Sequence, residues 1–437
     1  MLDRSVAPMV KDFTDVDIIK PTQWSLENGI KVKEFNCASE EVVRIDFIFR
    51  GGMLQQGQPM LLPMLLSMLS QGTRNYSSAD IAECFDYCGA WIDTNMYDNY
   101  SVVTVYCINR CLDKVLPVIE EMIKYPTFPS EEFKVVKSQT LSLLRTNHER
   151  VSYLAMRGFN RAFFGDSHPL GKEGTISGLR KINVEELSGL HKAIFTSDGA
   201  LIQIAGCVTD DVRELITNYF SNSWGGSAVD ISTVDKTPSR KRLNICNKSN
   251  AVQSAVIMGM ETINRDNPDY LTMRVLITAL GGYFGSRLMS NIREDKGYTY
   301  GIHGHLLGKS DMAYMIISSE CDTSYTYPLI QECIKEIERL KVELIADEEL
   351  KLVKSYMLSN LAKISDSPFS ISDYYLTAYC NNIPKEYFNN QVAVIKNITP
   401  EELLEVAKKY LNIEQLYIII AGDKMKLPQN EQGISKS

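Results

Sequence analysis

An internal repeat is the feature that most constrains the fold of this chain. Residues 182–187 have the sequence INVEEL, and residues 398–403 have the sequence ITPEEL, 216 positions later. A β-rich run follows each segment at the same distance. Its sequence is ALIQIAG in the first copy and QLYIIIAG in the second. The offset is about half of the 437 residues. Self-similarity at this period predicts two copies of one structural unit.

Both repeated segments are predicted to start helices. Asn183 and Thr399 are good N-cap residues, and Glu186 and Glu402 follow three positions later, which is the spacing of a capping box. Pro400 stands at the first helical position of the second copy. Its missing N–H costs nothing there, because that group would have no partner inside the helix.

The rest of each half is predicted to follow one order of strands and helices. WSLENGIKVKEF indicates a β-hairpin with Asn28-Gly29 at its turn, and the alternation of Val43, Ile45 and Phe47 with more polar residues predicts a half-buried strand. The first half is then predicted to have helices over 59–71 and 78–88, a strand pair over 90–108, and helices across 112–124 and 130–163. The second half is predicted to have a strand over 252–260, helices over 267–280 and 285–296, strands over 299–320, and helices over 326–342 and 347–364.

Strands and helices in this mixed order predict an α+β fold with two homologous domains. Each domain is expected to be a largely antiparallel β-sheet covered by helices on one face. The predicted domains span 1–220 and 243–437. Residues 221–242 are rich in Gly, Ser, Asp and Lys, which predicts an exposed linker.

Composition and charge exclude several classes of function. A net charge of -8 argues against a general nucleic-acid-binding protein, which needs a basic face. No apolar run reaches 18 residues, so no transmembrane helix is predicted, and the first 21 residues lack the apolar core of a signal peptide. We therefore expect a cytoplasmic protein without a membrane partner, and we leave the periplasm open. The ten cysteines are scattered and contain no CxxC, which favours reduced thiols over disulfides or a metal site.

The most specific motif is GGYFGSRLMSNIREDKGYTYGI at 281–302. Its glycines predict a turn into a short amphipathic helix, and Gly297 predicts the end of that helix. Arg293 falls near the helix end and Tyr300 at the start of the following strand. Both side chains are expected to point into the space in front of the sheet.

This stretch, together with the order of elements along nearly the whole chain, resembles the M16 (pitrilysin and mitochondrial processing peptidase-like) metallopeptidases of the bacterial two-domain type. The resemblance implies the LuxS/MPP-like metallohydrolase fold for both halves. It also implies a site divided between them. An HxxEH helix in the first half binds zinc through two His and uses the Glu as general base. An Arg and a Tyr in the second half hold the substrate and support the oxyanion.

Compared with that family, this chain has lost the zinc site. The family's HxxEH helix runs into a Gly-Thr turn, which Gly72-Thr73 matches here. Counting back from the turn, Pro63 and Ser67 occupy the positions of the two His, and Leu66 occupies that of the Glu. The third ligand would come from a later helix, which has no acidic residue from 133 to 148. The resemblance thus implies that this chain binds no metal and that zinc belongs to a partner subunit.

The second part of the family's site is retained, because Arg293 and Tyr300 match it with the family's spacing. The resemblance implies that they bind substrate. The alternatives are that Arg293 forms surface salt bridges with the two acidic residues after it, and that Tyr300 is an ordinary strand aromatic. His303 and His305 share a strand face, but no third metal ligand has a recognisable spacing. We expect one or both of them to line the chamber wall or to face solvent.

No other catalytic arrangement stands out. The sequence has no Ser-His-Asp or Cys-His constellation, and the Gly-Gly pairs at 51–52 and 281–282 lack the GK[ST] of a Walker A motif. The Met- and Leu-rich helix over 60–69 is apolar on nearly every side. Such a helix is predicted to lie in the core rather than on a partner surface.

Two functions fit these residues. In the first, the chain is a non-catalytic subunit of a heterodimeric M16 zinc peptidase, and it supplies Arg293, Tyr300 and half of a closed chamber to a partner that bears HxxEH. Substrates would be peptides or unfolded protein segments, docked on a sheet edge. In the alternative, the chain is a purely structural or peptide-binding M16-like protein with no proteolytic role. A self-sufficient peptidase is excluded, because the chain contains neither HxxEH nor its inverse.

Overall fold

A computed structural model describes residues 17–38, 40–231, 234–309 and 312–427. The N-terminal segment 1–21, which lacks the apolar core of a signal peptide, lies mostly outside the described residues. The described strands form two sheets. The first contains β1 (Thr22–Ser25), β2 (Lys31–Asn36), β3 (Val42–Arg50), β4 (Trp91–Met96), β5 (Tyr100–Ile108) and β6 (Leu201–Gly206). The second contains β7 (Leu243–Asn247), β8 (Gln253–Thr262), β9 (Thr299–Gly308), β10 (Ala313–Asp322) and β11 (Tyr417–Gly422).

The described part of the chain also forms α-helices in both halves. In the first half they are α1 (Leu61–Met68), α2 (Ser78–Cys88), α3 (Leu112–Lys124), α4 (Ser130–Glu149), α5 (Val151–Phe164), α6 (Ile176–Lys181), α7 (Val184–Ile194) and α8 (Asp210–Phe220). In the second half they are α9 (Tyr270–Ile277), α10 (Thr326–Val342), α11 (Asp347–Ala362), α12 (Pro368–Cys380), α13 (Tyr387–Asn397) and α14 (Pro400–Tyr410). Among the described helices, none has the length and apolar character that crossing a membrane requires.

The two sheets share one topology. Their strand orders are β1-β2-β6-β3-β5-β4 and β7-β11-β8-β10-β9. Apart from β1, the strands match one to one. Each sheet has one parallel pair, β2–β6 or β7–β11, and its other pairs are antiparallel. The predicted α+β fold with two largely antiparallel sheets is confirmed, whereas the domain boundaries stay a prediction.

The local predictions at the repeat are also confirmed. Asn183 forms a capping box at the start of α7, and Thr399 forms one at the start of α14. The hairpin at the start is formed by β1 and β2. Gly29 lies at its turn with φ +87°, a backbone conformation that glycine adopts without steric cost.

Strand β3 corrects one expectation, because it is buried on both faces rather than half-buried. All residues from 43 to 49 are buried. The face expected to contact solvent is covered by α12, a helix of the second half, which packs against β6 and β2. Leu376 and Cys380 of α12 lie in one apolar cluster with Ile48 and Leu201 of the first sheet.

The second sheet receives the reciprocal contact. Helix α5 of the first half packs against β8 and β11, and it buries Phe159 and Phe163 in a cluster with Ile257 and Ile419. Helices α5 and α12 begin 217 positions apart, so they are counterparts in the repeat. We call the sheet surfaces that these two helices cover the exchange faces.

Candidate functional site

Helix α1 begins at Leu61, two residues later than predicted, because Met60 before it has a left-handed backbone with φ +74°. Its predicted place in the core is confirmed, since six of its eight residues are buried. Leu66 is one of them. Pro63 and Ser67 lie one turn apart, and the Ser67 hydroxyl donates a hydrogen bond of 2.9 Å to the Pro63 carbonyl oxygen. These side chains offer neither a metal ligand nor a general base, because proline and leucine have no donor atom and the serine bonds to its own helix.

Helix α4 would carry the third zinc ligand. It packs against α1, but it has no acidic residue from 133 to 148. Within the described ranges, no group of three or more His, Cys, Asp or Glu side chains is placed to hold a metal ion, and all ten cysteines are free thiols. The side chains at the family's zinc position therefore do not fit a zinc ion.

Arg293 lies in a π-helical segment, Met289–Asp295, rather than in the regular helix predicted over 285–296. The Lys296 N–H donates to the carbonyl oxygen of Asn291, five residues earlier, as a π-helix requires. The segment ends as predicted at Gly297, whose φ is +65°. The wider π-turn changes the direction in which Arg293 leaves the backbone compared with an α-helix.

The Arg293 side chain is weakly engaged with its neighbours. It is 34% exposed, and Glu294 is its only ion contact among the described residues, at 3.9 Å. That distance is too long for a hydrogen bond. The guanidinium lies 4.7 Å from the centre of the exposed Phe284 ring, which is cation–π distance. Its N–H donors therefore remain available for a carbonyl or carboxylate oxygen.

Tyr300 lies at a β-bulge on β9, the last strand of the second sheet. The pairing of β9 with β10 shifts between Ser319 and Cys321, so that Tyr300 and Gly301 both stand opposite Glu320. A bulge of this kind re-aims the side chain at its extra residue. Tyr300 is 92% exposed, so it is not packed as an ordinary strand aromatic.

Side-chain hydrogen bonds hold this bulge in place. The Gly301 N–H donates to Thr299 Oγ1 at 3.1 Å, and the Thr299 hydroxyl donates to the Glu320 carbonyl oxygen at 2.6 Å. The Ser319 hydroxyl contacts both Thr299 Oγ1 and the Gly301 carbonyl oxygen, each at 2.9 Å. The exposure of Tyr300 is therefore built into the local structure.

A cavity of about 430 Å³ opens beside Tyr300. Its walls come from β8, β9 and β10 and from α5, so it lies at the end of the second exchange face. A second cavity of about 820 Å³ adjoins it and shares Ser152, Gln253 and Glu320. The side chains that determine the character of the first cavity, besides Tyr300, are Ser152, Met156, Ala255, Ile257, His303 and Glu320.

The structure does not bring all sequence-predicted residues into this cavity. Tyr300 and His303 line it, but Arg293, Pro63, Leu66 and Ser67 do not. The segment of Arg293 packs against β9, so Arg293 and Tyr300 belong to neighbouring elements at one edge of the sheet.

His303 and His305 lie on the same side of β9, as predicted, with ring centres 6.3 Å apart. Burial and the neighbouring His303 lower the pKa of His305. His305 is therefore neutral at pH 7. His303 lines the cavity beside Tyr300.

Sequence interpretation missed the contribution of α5, which brings Ser152 and Met156 to the second sheet. One available indication was Gly158. A Cβ atom there would lie 2.7 Å from the sulfur of Cys246 on β7, so the residue marks a close approach of helix and strand. Glu320 was also missed, because no local pattern distinguishes it from other polar strand residues.

Comparisons with known proteins show which proteins this chain is similar to. A family model described as "Peptidase M16 inactive domain" matches residues 181–357. The chain is 22% identical over 393 residues to "Non-peptidase homolog YmxG" of Helicobacter pylori, covering 87% of this chain and 89% of that protein. It is also 22% identical over 343 residues to "Uncharacterized zinc protease YmxG" of Bacillus subtilis, covering 78% and 83%.

The fold agrees with solved structures as well. The structure of a peptidase M16 inactive domain from Pseudomonas fluorescens matches with a TM-score of 0.83 at 20% identity, covering 94% of this chain and 100% of that one. At this level of identity the likeness establishes the fold.

Proposed function

We propose that this chain, which resembles the M16 peptidases but lacks their HxxEH motif, is a non-catalytic subunit of a heterodimeric zinc peptidase. In this proposal a partner subunit that bears HxxEH holds the zinc and the general base. This chain contributes Arg293, Tyr300 and half of the chamber that encloses a peptide or an unfolded protein segment. Neither a nucleic acid nor a membrane takes part.

The exposed Tyr300 is the observation that carries the proposal. A tyrosine with 92% of its surface exposed, held in a hydrogen-bonded bulge beside a cavity, contributes little to the core. Its position is easier to understand if the ring and hydroxyl contact a ligand. The retained Arg293 supports the same interpretation, because its guanidinium has only a 3.9 Å ion contact within the described chain.

The chemistry of both groups suits a peptide backbone. A tyrosine hydroxyl and a guanidinium both donate hydrogen bonds, and such donors stabilise the negative charge that develops on a carbonyl oxygen during hydrolysis. Strand β9 lies at the edge of its sheet, so its free backbone groups could pair with an extended peptide. The residues that bind the substrate and the zinc ion that supports hydrolysis would then belong to different chains.

The alternative is an M16-like protein that binds peptides or serves as a scaffold without a proteolytic role. One observation favours it: the relative from Helicobacter pylori is described as a non-peptidase homolog. In that case Arg293 and Tyr300 would bind a ligand, or nothing, without affecting the activity of any partner. We propose the cytoplasm as the location for either function, with the periplasm as the alternative.

Co-expression with an HxxEH-bearing family member tests the proposal. We expect a stable complex that contains zinc on the partner subunit and cleaves peptides, whereas this chain alone does not. Arg293→Ala and Tyr300→Phe should each lower kcat of the complex by about 10²-fold, because each removes a donor to the developing oxyanion. Zinc content and complex formation should not change.

Tyr298→Phe is the matched control, since it removes a hydroxyl two residues away. The Tyr298 ring stacks on Tyr325 with centres 4.7 Å apart, so its place depends on packing. This variant should keep full activity. If the mixture is no more active than the partner alone, or if Tyr300→Phe behaves as Tyr298→Phe does, the heterodimer proposal is wrong and the scaffold alternative gains support.

A further inference from the structure

The repeat allows the two exchange faces to be compared position by position. Strands β6 and β11 fix the alignment, since Gln203 pairs with Asp46 and its counterpart Ile419 pairs with Ile257. The helix starts align α5 with α12. The same registers give further counterparts, which are Arg44 and Ala255, Tyr106 and Glu320, Trp91 and Tyr300, Phe369 and Ser152, and Asp373 and Met156.

In the first half, the side chain of Arg44 fills the space between the sheet and α12. The Arg44 guanidinium contacts Asp46 Oδ1 at 3.0 Å and Asp373 Oδ1 at 2.6 Å. It also lies 5.5 Å from the centre of the Tyr106 ring, and Trp91 stacks on Tyr106 at 4.5 Å. An arginine, two carboxylates and two aromatic rings thus form one packed cluster.

In the second half, the corresponding space between the sheet and α5 is an open cavity. The methyl group of Ala255 is too small to fill the volume that Arg44 occupies in its own half, and Ser152 is much smaller than Phe369. Both residues line the cavity of about 430 Å³ beside Tyr300. Glu320 is the one Asp, Glu, Lys or Arg among the described residues of that lining. No cation of the described chain forms an ion pair with its carboxylate.

We propose that this cavity is a subsite for a lysine or arginine side chain of the bound peptide, and that Glu320 determines this preference. The inference rests on the proposed function, because it assigns a side-chain preference to a peptide held at Tyr300. The basic side chain of the peptide takes the place that Arg44 fills in the first half.

The lining suits each part of such a side chain. Met156 and Ile257 provide an apolar wall for the aliphatic stem, which long basic side chains bury readily. The Glu320 carboxylate provides the opposite charge for the head group. The exposed Tyr300 ring provides a face for cation–π contact. The volume also falls in the range of sites that enclose small ligands.

Binding of labelled peptides to the full chain tests the subsite. Fluorescence anisotropy would compare three heptapeptides that are identical except for a central Lys, Gln or Glu. We expect the Lys peptide to bind about fivefold to tenfold more tightly than the Gln peptide, and the Glu peptide to bind most weakly. Glu320→Gln should remove most of this preference, leaving only the smaller contribution of the Tyr300 ring. Higher salt should reduce the preference, because the carboxylate is exposed.

Glu149→Gln is the matched control. Glu149 lines the adjoining cavity, but its carboxylate is paired with Lys248 at 2.6 Å, so the preference for Lys should persist. A second variant, Ser152→Phe, introduces the counterpart residue Phe369 and fills the cavity, so the tight binding of the Lys peptide should be lost.

Each outcome has a separate meaning. If the wild-type chain binds the Lys and Gln peptides equally, the subsite is wrong and the proposed function is unaffected. If Glu149→Gln removes the preference as fully as Glu320→Gln, the assignment to Glu320 is wrong. If no peptide binds, with or without an HxxEH-bearing partner, both the subsite and the proposed function are overturned.

Discussion

The two exchange faces follow one backbone plan but are stabilised by different interactions. On the second sheet the contact is apolar, and the ring of Phe159 lies 5.9 Å from that of Tyr314. On the first sheet an apolar cluster is also present, but a polar network lies beside it. Gln203 Nε2 donates to the Ser372 hydroxyl oxygen at 2.7 Å, and the Ser372 hydroxyl contacts Asp46 Oδ2 at 3.1 Å. At counterpart positions, the second sheet and its helix therefore have apolar side chains, whereas the first sheet and its helix have polar side chains that hydrogen-bond to one another.

This difference shows that the repeat conserves shape rather than chemistry. Ala155 of α5 corresponds to Ser372 of α12, and Ile257 corresponds to Asp46, yet both helices lie on their sheets in the same way. An apolar contact depends mainly on volume. A buried polar network depends on every partner being present. The two faces should therefore respond to different kinds of substitution.

The largest expected effect is on the apolar face. Phe159 is fully buried, and Phe159→Ala should lower the free energy of unfolding by about 4 kcal/mol through lost burial and a cavity. Urea denaturation followed by circular dichroism would measure the loss. Val135→Ala, at an exposed position of the preceding helix, is the control and should change stability by less than about 0.5 kcal/mol. A loss below about 1 kcal/mol for Phe159→Ala would show that α5 is not firmly packed.

A somewhat smaller effect is expected on the polar face. Asp46 accepts hydrogen bonds from Arg44 Nε at 3.0 Å and from the Thr104 hydroxyl at 2.7 Å. Asp46→Ala removes the acceptor of both hydrogen bonds. It leaves Arg44 with one carboxylate partner, Asp373, whose side chain is 64% exposed, and with the Phe369 carbonyl oxygen at 3.3 Å. We expect a loss of about 3 kcal/mol in the free energy of unfolding, measured by the same denaturation.

A double variant sharpens this comparison. Arg44→Ala with Asp46→Ile installs the residues that the second sheet has at the counterpart positions. Because no charge is then left buried without a partner, it should recover most of the loss. If the double variant is less stable than Asp46→Ala alone, the two faces are not interchangeable in the way that we infer.

The pH dependence of stability should differ between the faces by a smaller amount. Burial raises the pKa of Asp46, although Arg44 and the hydroxyl hydrogen bonds oppose the shift. A raised pKa means that the folded state holds this proton more tightly than the unfolded state. The stability that the proton contributes is present below the ordinary carboxyl pKa and is lost as pH rises through the folded-state value.

Asp46→Asn cannot titrate, so it isolates this contribution. The stability of the wild-type chain minus that of Asp46→Asn should fall as pH rises above the ordinary carboxyl pKa in parallel urea titrations. No comparable group lies at Ile257 on the other face. A difference that rises with pH would mean that the ion pair with Arg44 outweighs burial.

Much of the fold was predictable because its determinants are local. The capping residues Asn183 and Thr399, and the glycines Gly29 and Gly297, each determine a helix start, a turn or a helix end from within a few residues. The repeat then relates one half to the other. The loss of the zinc position at α1 could also be recognised from side-chain chemistry alone.

The exchange of α5 and α12 could not be predicted, because it depends on contacts between residues about 90 or more positions apart. The alternation along β3 indicated one solvent-facing side, and only the arrival of α12 from the second half explains why Asp46 is buried. The bulge at Tyr300 and the π-turn at Arg293 depend on strand register and packing. Propensity and periodicity do not encode these features.

The reciprocal exchange also has a consequence for synthesis on the ribosome. Phe159, Phe163 and Phe164 of α5 pack in one cluster with Tyr417 and Ile419 of β11, which are added to the chain more than 250 residues later. At a synthesis rate of about 5–20 residues per second, roughly 13–50 s pass between the synthesis of these phenylalanines and that of their partners on β11. During that interval the nascent chain exposes the apolar aromatic surface of α5, which favours aggregation. We expect correct folding to depend on a chaperone that shields it, or on slow collapse until the last strand has emerged.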